Sequence, residues 1–159
     1  MTLDIRKAVP GDEGIIHELI LGIAEYEKLS HEVEATVSDL REALFSDHPV
    51  AHCFLAHQGE SLAGYALYFY NFSTFVGKKG IYLEDLFVRP EFRKQGIGKA
   101  LLLHLGKEAH AQGCGRMEWT ALDWNTPAHE FYESLGAKML NEWKHFRVTK
   151  SGIAQLAQL

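Results

Sequence analysis

Apolar positions recur along the chain with two periods, and the switches between them mark out the elements. Leu3, Ile5 and Lys7 begin a first strand, which Pro10-Gly11-Asp12 breaks before a long helix running to about Leu29. In that helix Ile15, Ile16, Leu19, Ile20, Ile23 and Ala24 return at the spacing of one helical face. A second helix is expected over Ser38 to Phe45, ended by Asp47-His48-Pro49. Two strands follow, Ala51 to His57 and Leu62 to Tyr70, and the polar Gln58-Gly59-Glu60 between them reads as a hairpin turn. Ile81 to Val88 is the next strand. The period then returns to helical from Gly96 to Gln112, with Ile97, Leu101 and Leu105 on one face. Gly113-Cys114-Gly115 stops that helix, Met117 to Leu122 reads as a strand, and Thr126 to Leu135 as a helix closed by Gly136. Strands near Ala137 to Leu140 and Trp143 to Val148 are expected to complete the sheet.

This order predicts a mixed α/β sheet of about six or seven strands with helices on its faces. No repeat, low-complexity tract or linker divides the chain, so a single domain over 1–159 is expected. Composition agrees: 159 residues with 47% hydrophobic content suit one core, burying roughly two thirds of the unfolded surface.

Charge and residue counts narrow the chemistry. A net charge of -5 gives no general attraction to nucleic acid. The start of the chain does not resemble a signal peptide and no apolar run has membrane-spanning length, which points to the cytoplasm. Cys53 and Cys114 stand far apart, as small thiols rather than a zinc or redox pair. The nine histidines include no pair at HExxH or comparable spacing, so no metal is expected.

The informative stretch is EDLFVRPEFRKQGIGKALL, Glu84 to Leu102, acidic at one end and basic at the other. A helix beginning at Gly96 presents unpartnered backbone N–H groups and a partial positive charge at its tip. Glycine there lets an anion approach, and Arg93, Lys94 and Lys99 add positive charge, so the basic end reads as a pyrophosphate cradle. It is not a P-loop: Arg93 occupies the first glycine position and Ala100 replaces the Ser or Thr after Lys99. It is not the dinucleotide fingerprint either, because Leu101 stands where Gly or Ala is needed.

The pattern V-x-x-x-x-R-x-x-G-x-G, Val88 through Gly98, resembles the acetyl-coenzyme A motif of the GNAT acetyltransferase superfamily. NTPAHEFYESLGA, Asn125 to Ala137, resembles its second signature, and the two come in the expected order. AEYEKLS (Ala24 to Ser30), IYLEDLFV (Ile81 to Val88) and LDWN (Leu122 to Asn125) are similar to the diamine acetyltransferases, with the thialysine type nearer than the spermidine/spermine type. Lys94 stands where those enzymes usually have glycine.

The resemblance implies a GNAT fold whose strands at 81–88 and 116–122 splay apart, acetyl-CoA as co-substrate, and a homodimer. It implies that the backbone of Leu86, Phe87 and Val88 pairs with the pantetheine arm. Arg93, Lys94, Gln95, Gly96, Ile97, Gly98 and Lys99 then hold the pyrophosphate, and Asn125, Pro127 and Ala128 flank the arm from the opposite side. Asn125 also suits a helix N-cap. Tyr132 matches the tyrosine that acts as general acid in this superfamily, and Tyr26, Glu27, Asp85 and Trp119 are implied around the amine.

Acetyl transfer needs a free amine, yet an alkylamine with a pKa of about 10.4 is almost wholly protonated at neutral pH. Glu84 is the candidate base, directly or through a water, on the premise that an apolar strand desolvates it. Strand alternation places it on the face of Tyr82, Leu86 and Val88, with Asp85 opposite unless a bulge intervenes. The expected reaction is direct attack by a small di- or polyamine or lysine-like amine in a ternary complex. A protein N-terminus or lysine as substrate, or a non-catalytic acyl-CoA-binding module, are the alternatives.

Overall fold

An ion pair holds the first corner of the fold. The strand β1 (Leu3–Lys7) leads into the helix α1 (Glu13–Tyr26). Between them the Arg6 guanidinium donates to both oxygens of Asp12 at 2.7 and 3.1 Å, and the Val9 amide donates to the same carboxylate at 2.8 Å. These bonds hold the Asp12 carboxyl below its ordinary value. The computed structural model describes residues 2–159, which divide into two compact units, one extending to Thr120 and one from Ala121 to Leu159.

In the first unit α1 is followed by α2 (Val37–Phe45), started by a capping box in which Thr36 and Asp39 exchange hydrogen bonds. Then come β2 (His52–Gln58), β3 (Ser61–Ser73), β4 (Lys78–Val88), α3 (Ile97–Ala111) and the short β5 (Met117–Glu118). The strands lie in the order β1-β2-β3-β4-β5, antiparallel until the last pair, β4 with β5, which is parallel. On one face Ile16, Leu19, Leu40 and Leu44 from α1 and α2 bury against Leu55, Tyr65, Leu67 and Phe87. On the other, α3 buries Ile97, Leu101 and Leu105, and His104 meets the edge of the Phe54 ring at 4.5 Å.

Gly22 explains how closely α1 approaches the sheet. A Cβ there would lie 2.9 Å from the ring of Phe87, so a side chain would require the ring or the helix to move. The helix ends three residues earlier than its apolar period suggests, in a Schellman closure: the Leu29 amide donates to the Ala24 carbonyl and Lys28 to that of Glu25. Lys28 takes the left-handed conformation, φ 61°, that this closure requires.

The second unit contains α4 (Thr126–Ser134) and α5 (Lys150–Leu156). The sheet therefore has five strands, fewer than expected: 137–140 and 143–148 are not strands, and β5 stops at Glu118 rather than Leu122. Trp143 and Phe146 are largely exposed. Their apolar alternation suits a pleated surface, but a strand exists only where a neighbouring backbone completes its ladder. No helix among the described residues is long and apolar enough to cross a membrane.

Candidate active site

A bulge in β4 organises the acidic residues. Leu67 of β3 faces Asp85 and the next residue, Tyr68, faces Leu83, so Glu84 is an extra residue without a partner in the ladder. The bulge changes the faces inferred from simple alternation. Phe69, Leu67 and Tyr65 share one side of β3, and their partners Tyr82, Asp85 and Phe87 share it too, while Leu83 and Leu86 lie opposite with Tyr68 and Ala66. Tyr82 and Leu86 are thus on different faces, correcting the expectation that Glu84 has both as companions. Glu84 is exposed, so the apolar burial invoked for it is not present.

Asp85 is the more enclosed of the two acids, half-buried. It points to the α1 side, where the Tyr65 hydroxyl donates to its Oδ2 at 2.7 Å. Burial raises the Asp85 carboxyl, the Tyr65 bond opposes the rise, and the charge of Glu84 adds to it. Glu27, the residue that caps α1, is lifted by burial and then by the charges of Asp85 and Glu84. The end of α1 and the bulge of β4 therefore bring three carboxylates within electrostatic reach of one another. Such a cluster favours a cation, which relieves the charge repulsion that adds to burial in raising Glu27 and Asp85.

Just beyond the bulge the strand acquires an open edge. Pairing between β4 and β5 covers Ile81–Met117 and Tyr82–Glu118 only, so the strands part there, as the resemblance implies. The Arg89 amide donates to Ala63 of β3, and alternation turns the backbone groups of Val88 and Leu86 toward the opposite, open edge. Phe87 differs from the expectation: its backbone faces β3 and its ring enters the core. Leu86 and Val88 are the residues placed to pair with an extended ligand.

Arg93 ties these parts together. Its Nε donates to the Val88 carbonyl at 2.9 Å, and its guanidinium lies 4.8 Å from the ring centroid of Tyr26 and 5.5 Å from that of Phe87. The motif arginine is thus engaged with the protein on the α1 side. Lys94 follows with φ 61°, adopting without glycine the left-handed shape usually given to glycine. Gly96, φ 80°, precedes α3, and the first intrahelical bond runs from Ala100 to the Gly96 carbonyl. The amides of Ile97, Gly98 and Lys99 form the helix tip, with exposed Gln95 and Lys99 beside it. Nothing lies within 4 Å of where a Gly96 Cβ would be, so its φ, not crowding, requires glycine there.

Trp119 directly follows β5 and is half-buried. In the second unit Asn125 stands at the N-cap position of α4, where its carbonyl accepts from the Ala128 and His129 amides at 3.1 and 3.2 Å, but its side chain makes no capping bond. Pro127 occupies the first turn and His129 bonds the Leu122 carbonyl through Nε2 at 2.9 Å. Tyr132 is half-buried, its ring 5.4 Å from that of Phe131. Sequence reasoning missed Tyr65. The β3–β4 register supplies the signal, because it sets Tyr65 diagonally across from Asp85.

Comparison with known proteins adds to this geometry. A family model described as "Acetyltransferase (GNAT) family" matches residues 16–137. The chain is 39% identical to the thialysine N-epsilon-acetyltransferase of Sus scrofa over 96% of both chains. It is 32% identical to an L-ornithine N5-acetyltransferase of Arabidopsis thaliana, over 98% of this chain and 88% of that one. An integron cassette protein from the mobile metagenome of V. cholerae has a TM-score of 0.82 at 27% identity, over 100% of this chain and 99% of the other.

Proposed function

Because this chain belongs to the GNAT acetyltransferase family, we propose that it transfers an acetyl group from acetyl-CoA to a primary amine of a small di- or polyamine or lysine-like substrate. The observation that carries this reading is the layout of β4. Glu84 and Asp85 meet Glu27 at its bulge, and the strand then runs past an open edge to the amide tip of α3. One end attracts an amine and the other an anion.

In this reading the amides from Lys94 to Lys99 hold the coenzyme's pyrophosphate, and Leu86 and Val88 pair with its pantetheine arm. Asn125, Pro127 and Ala128 are proposed to flank that arm, by resemblance. The amine arrives as an ammonium, and freeing its lone pair at neutral pH costs about 4 to 5 kcal/mol. Glu84, exposed beside the half-buried acids, takes that proton directly or through a water. Attack on the thioester carbonyl forms a tetrahedral oxyanion, stabilised by a backbone N–H near Leu86 to Val88. Tyr132 protonates the leaving thiolate; with a thiol pKa of about 8.5 that help is useful rather than essential.

Each acid that binds an ammonium also makes it harder to deprotonate. Glu27 and Asp85 are therefore assigned to a distal cation, with Tyr26 and Trp119 proposed as its apolar walls, and Glu84 to the reacting nitrogen. We further propose one acetyltransferase domain over 1–159, supported by the family match that runs through the boundary between the units. A cytoplasmic homodimer, working without a metal or nucleic acid, completes the proposal by family likeness.

The test is thiol release from acetyl-CoA with lysine, thialysine, ornithine, short diamines and a peptide N-terminus. Turnover of the small dicationic amines is expected. Acetylation of the peptide alone would replace this reading with a protein acetyltransferase. Tyr132→Phe should lower kcat on the order of a hundredfold with coenzyme affinity unchanged, whereas binding without any turnover in the wild type would indicate an acyl-CoA-binding module.

A further inference from the structure

We propose that Tyr65 is a specificity-determining positioning residue: from inside the core its hydroxyl holds the Asp85 carboxyl in place for the second ammonium of a dicationic substrate. This rests on the amine-acetyltransferase reading above. Tyr65 is fully buried, 0% exposed, among Ile16, Leu19, Leu55 and Phe87, so its ring is a core side chain like any other. A phenylalanine would fill that space. The hydroxyl is the exception, and a buried phenol requires a partner. It has one in Asp85 Oδ2 at 2.7 Å.

The bond serves the carboxylate more than the core. Asp85 stands where burial and Glu84 both disfavour a negative charge, and the Tyr65 donor opposes them. The ionisable groups facing Asp85 are Glu27 from the end of α1, Glu84 next to it, Tyr65 from β3 and the buried Cys53 thiol from β2. Arg93, over the Phe87 ring, has its Nε bonded to the Val88 carbonyl. None of those four is a cation. Without the phenol, Asp85 would lose a donor that favours its charged form and holds one of its oxygens in place. With one oxygen fixed from below, the other is left to act with Glu27. A substrate with a single amine engages Glu84 and gains nothing from this arrangement, so the hydroxyl discriminates between dications and monocations.

Tyr65→Phe in the full chain tests this with two readouts. The first needs no substrate: the pH titration of the Asp85 side-chain carboxyl by carbon-13 NMR, assigned with Asp85→Asn. Its midpoint should move up by about one pH unit in Tyr65→Phe. The second compares 1,4-diaminobutane with butylamine. For the diamine, KM should rise about tenfold with kcat within about twofold, while butylamine kinetics stay unchanged. Asp85→Asn, which keeps an acceptor for the phenol, should raise the diamine KM at least as much. An unmoved titration midpoint, or equal changes for the two amines, would overturn the role of Tyr65. If the wild type acetylates neither amine, the amine reading falls and the ammonium assignment with it, while the titration still judges the hold of Tyr65 on Asp85.

Discussion

The Arg93 guanidinium lies 4.8 Å from the ring centroid of Tyr26, next to Glu27. With its bond to the Val88 carbonyl at 2.9 Å, it joins the end of α1 to the end of β4. Arg93 is therefore a tie between those two elements, and in the proposed reading the helix tip and Lys99 are left for the phosphates.

Arg93→Ala should lose a charged hydrogen bond and a cation–π contact, about 2 kcal/mol together. It should also raise the KM for the amine more than the Kd for coenzyme A. Lys99→Ala should do the reverse, weakening coenzyme binding with stability unchanged. Urea unfolding and calorimetry with coenzyme A separate the two; matching profiles for both variants would contradict the tie.

Lys28 and Lys94, the two non-glycine residues with positive φ among those described, bracket the site. Left-handed backbone costs an ordinary side chain about 1–2 kcal/mol, part of which glycine returns as unfolded-state entropy. Lys28→Gly and Lys94→Gly should each stabilise the protein by about 0.5–1 kcal/mol, seen as a higher urea midpoint with the same slope. A lower midpoint would show that the lysine side chains contribute more than the strain costs.

Gly64 and Gly106 should respond in opposite directions to alanine. A Cβ at Gly64 would meet the Phe87 carbonyl oxygen, a backbone atom, at 2.4 Å and force β3 from β4 where the arm is proposed to dock. A loss of about 1–3 kcal/mol is expected, with weaker coenzyme binding. At Gly106, in α3, nothing lies within 4 Å, and alanine should add up to about 1 kcal/mol. Thermal melts of the two variants check this pair.

These contrasts show what a one-dimensional pattern carries. α1 and α3 were legible because their apolar period is local, and the glycine turn that starts α3 was legible because Gly96 and Gly98 follow a strand. The bulge at Glu84 was not, since it is a mismatch between two strands and appears only when Leu67 and Tyr68 are set against Asp85 and Leu83. The same reason hid Tyr65, whose role lies across the ladder. The strands expected at 137–140 and 143–148 had the right alternation, but alternation specifies a face and not a hydrogen-bonding neighbour. α5 was missed because Gly152 interrupts a short helix with weak signals of its own.

Asp85 sets function against stability. Its folded value lies above the ordinary 3.8, so between the two values the folded chain holds more protons and stability falls as pH rises. The penalty is absent below the unfolded value and fully present above the folded one. Asp85→Asn should therefore raise Tm at about pH 8 and not at about pH 3, while abolishing the preference for diamines. Asp12, held down by Arg6, has the opposite sign: its contribution is present above the ordinary value and is lost as pH falls through the lowered one. Asp12→Asn should lower Tm at about pH 8. A gain in Tm for Asp85→Asn that did not depend on pH would contradict the ionisation account.

The central claim is that coenzyme A lies along the open edge of β4 with its diphosphate on the tip of α3. Amide proton–nitrogen NMR, recorded as coenzyme A is added without amine, tests it most directly. The largest shifts should fall on Leu86, Val88 and the amides from Lys94 to Lys99, with α2 unchanged. Saturable binding that leaves those amides in place, or no binding at all, would contradict the account.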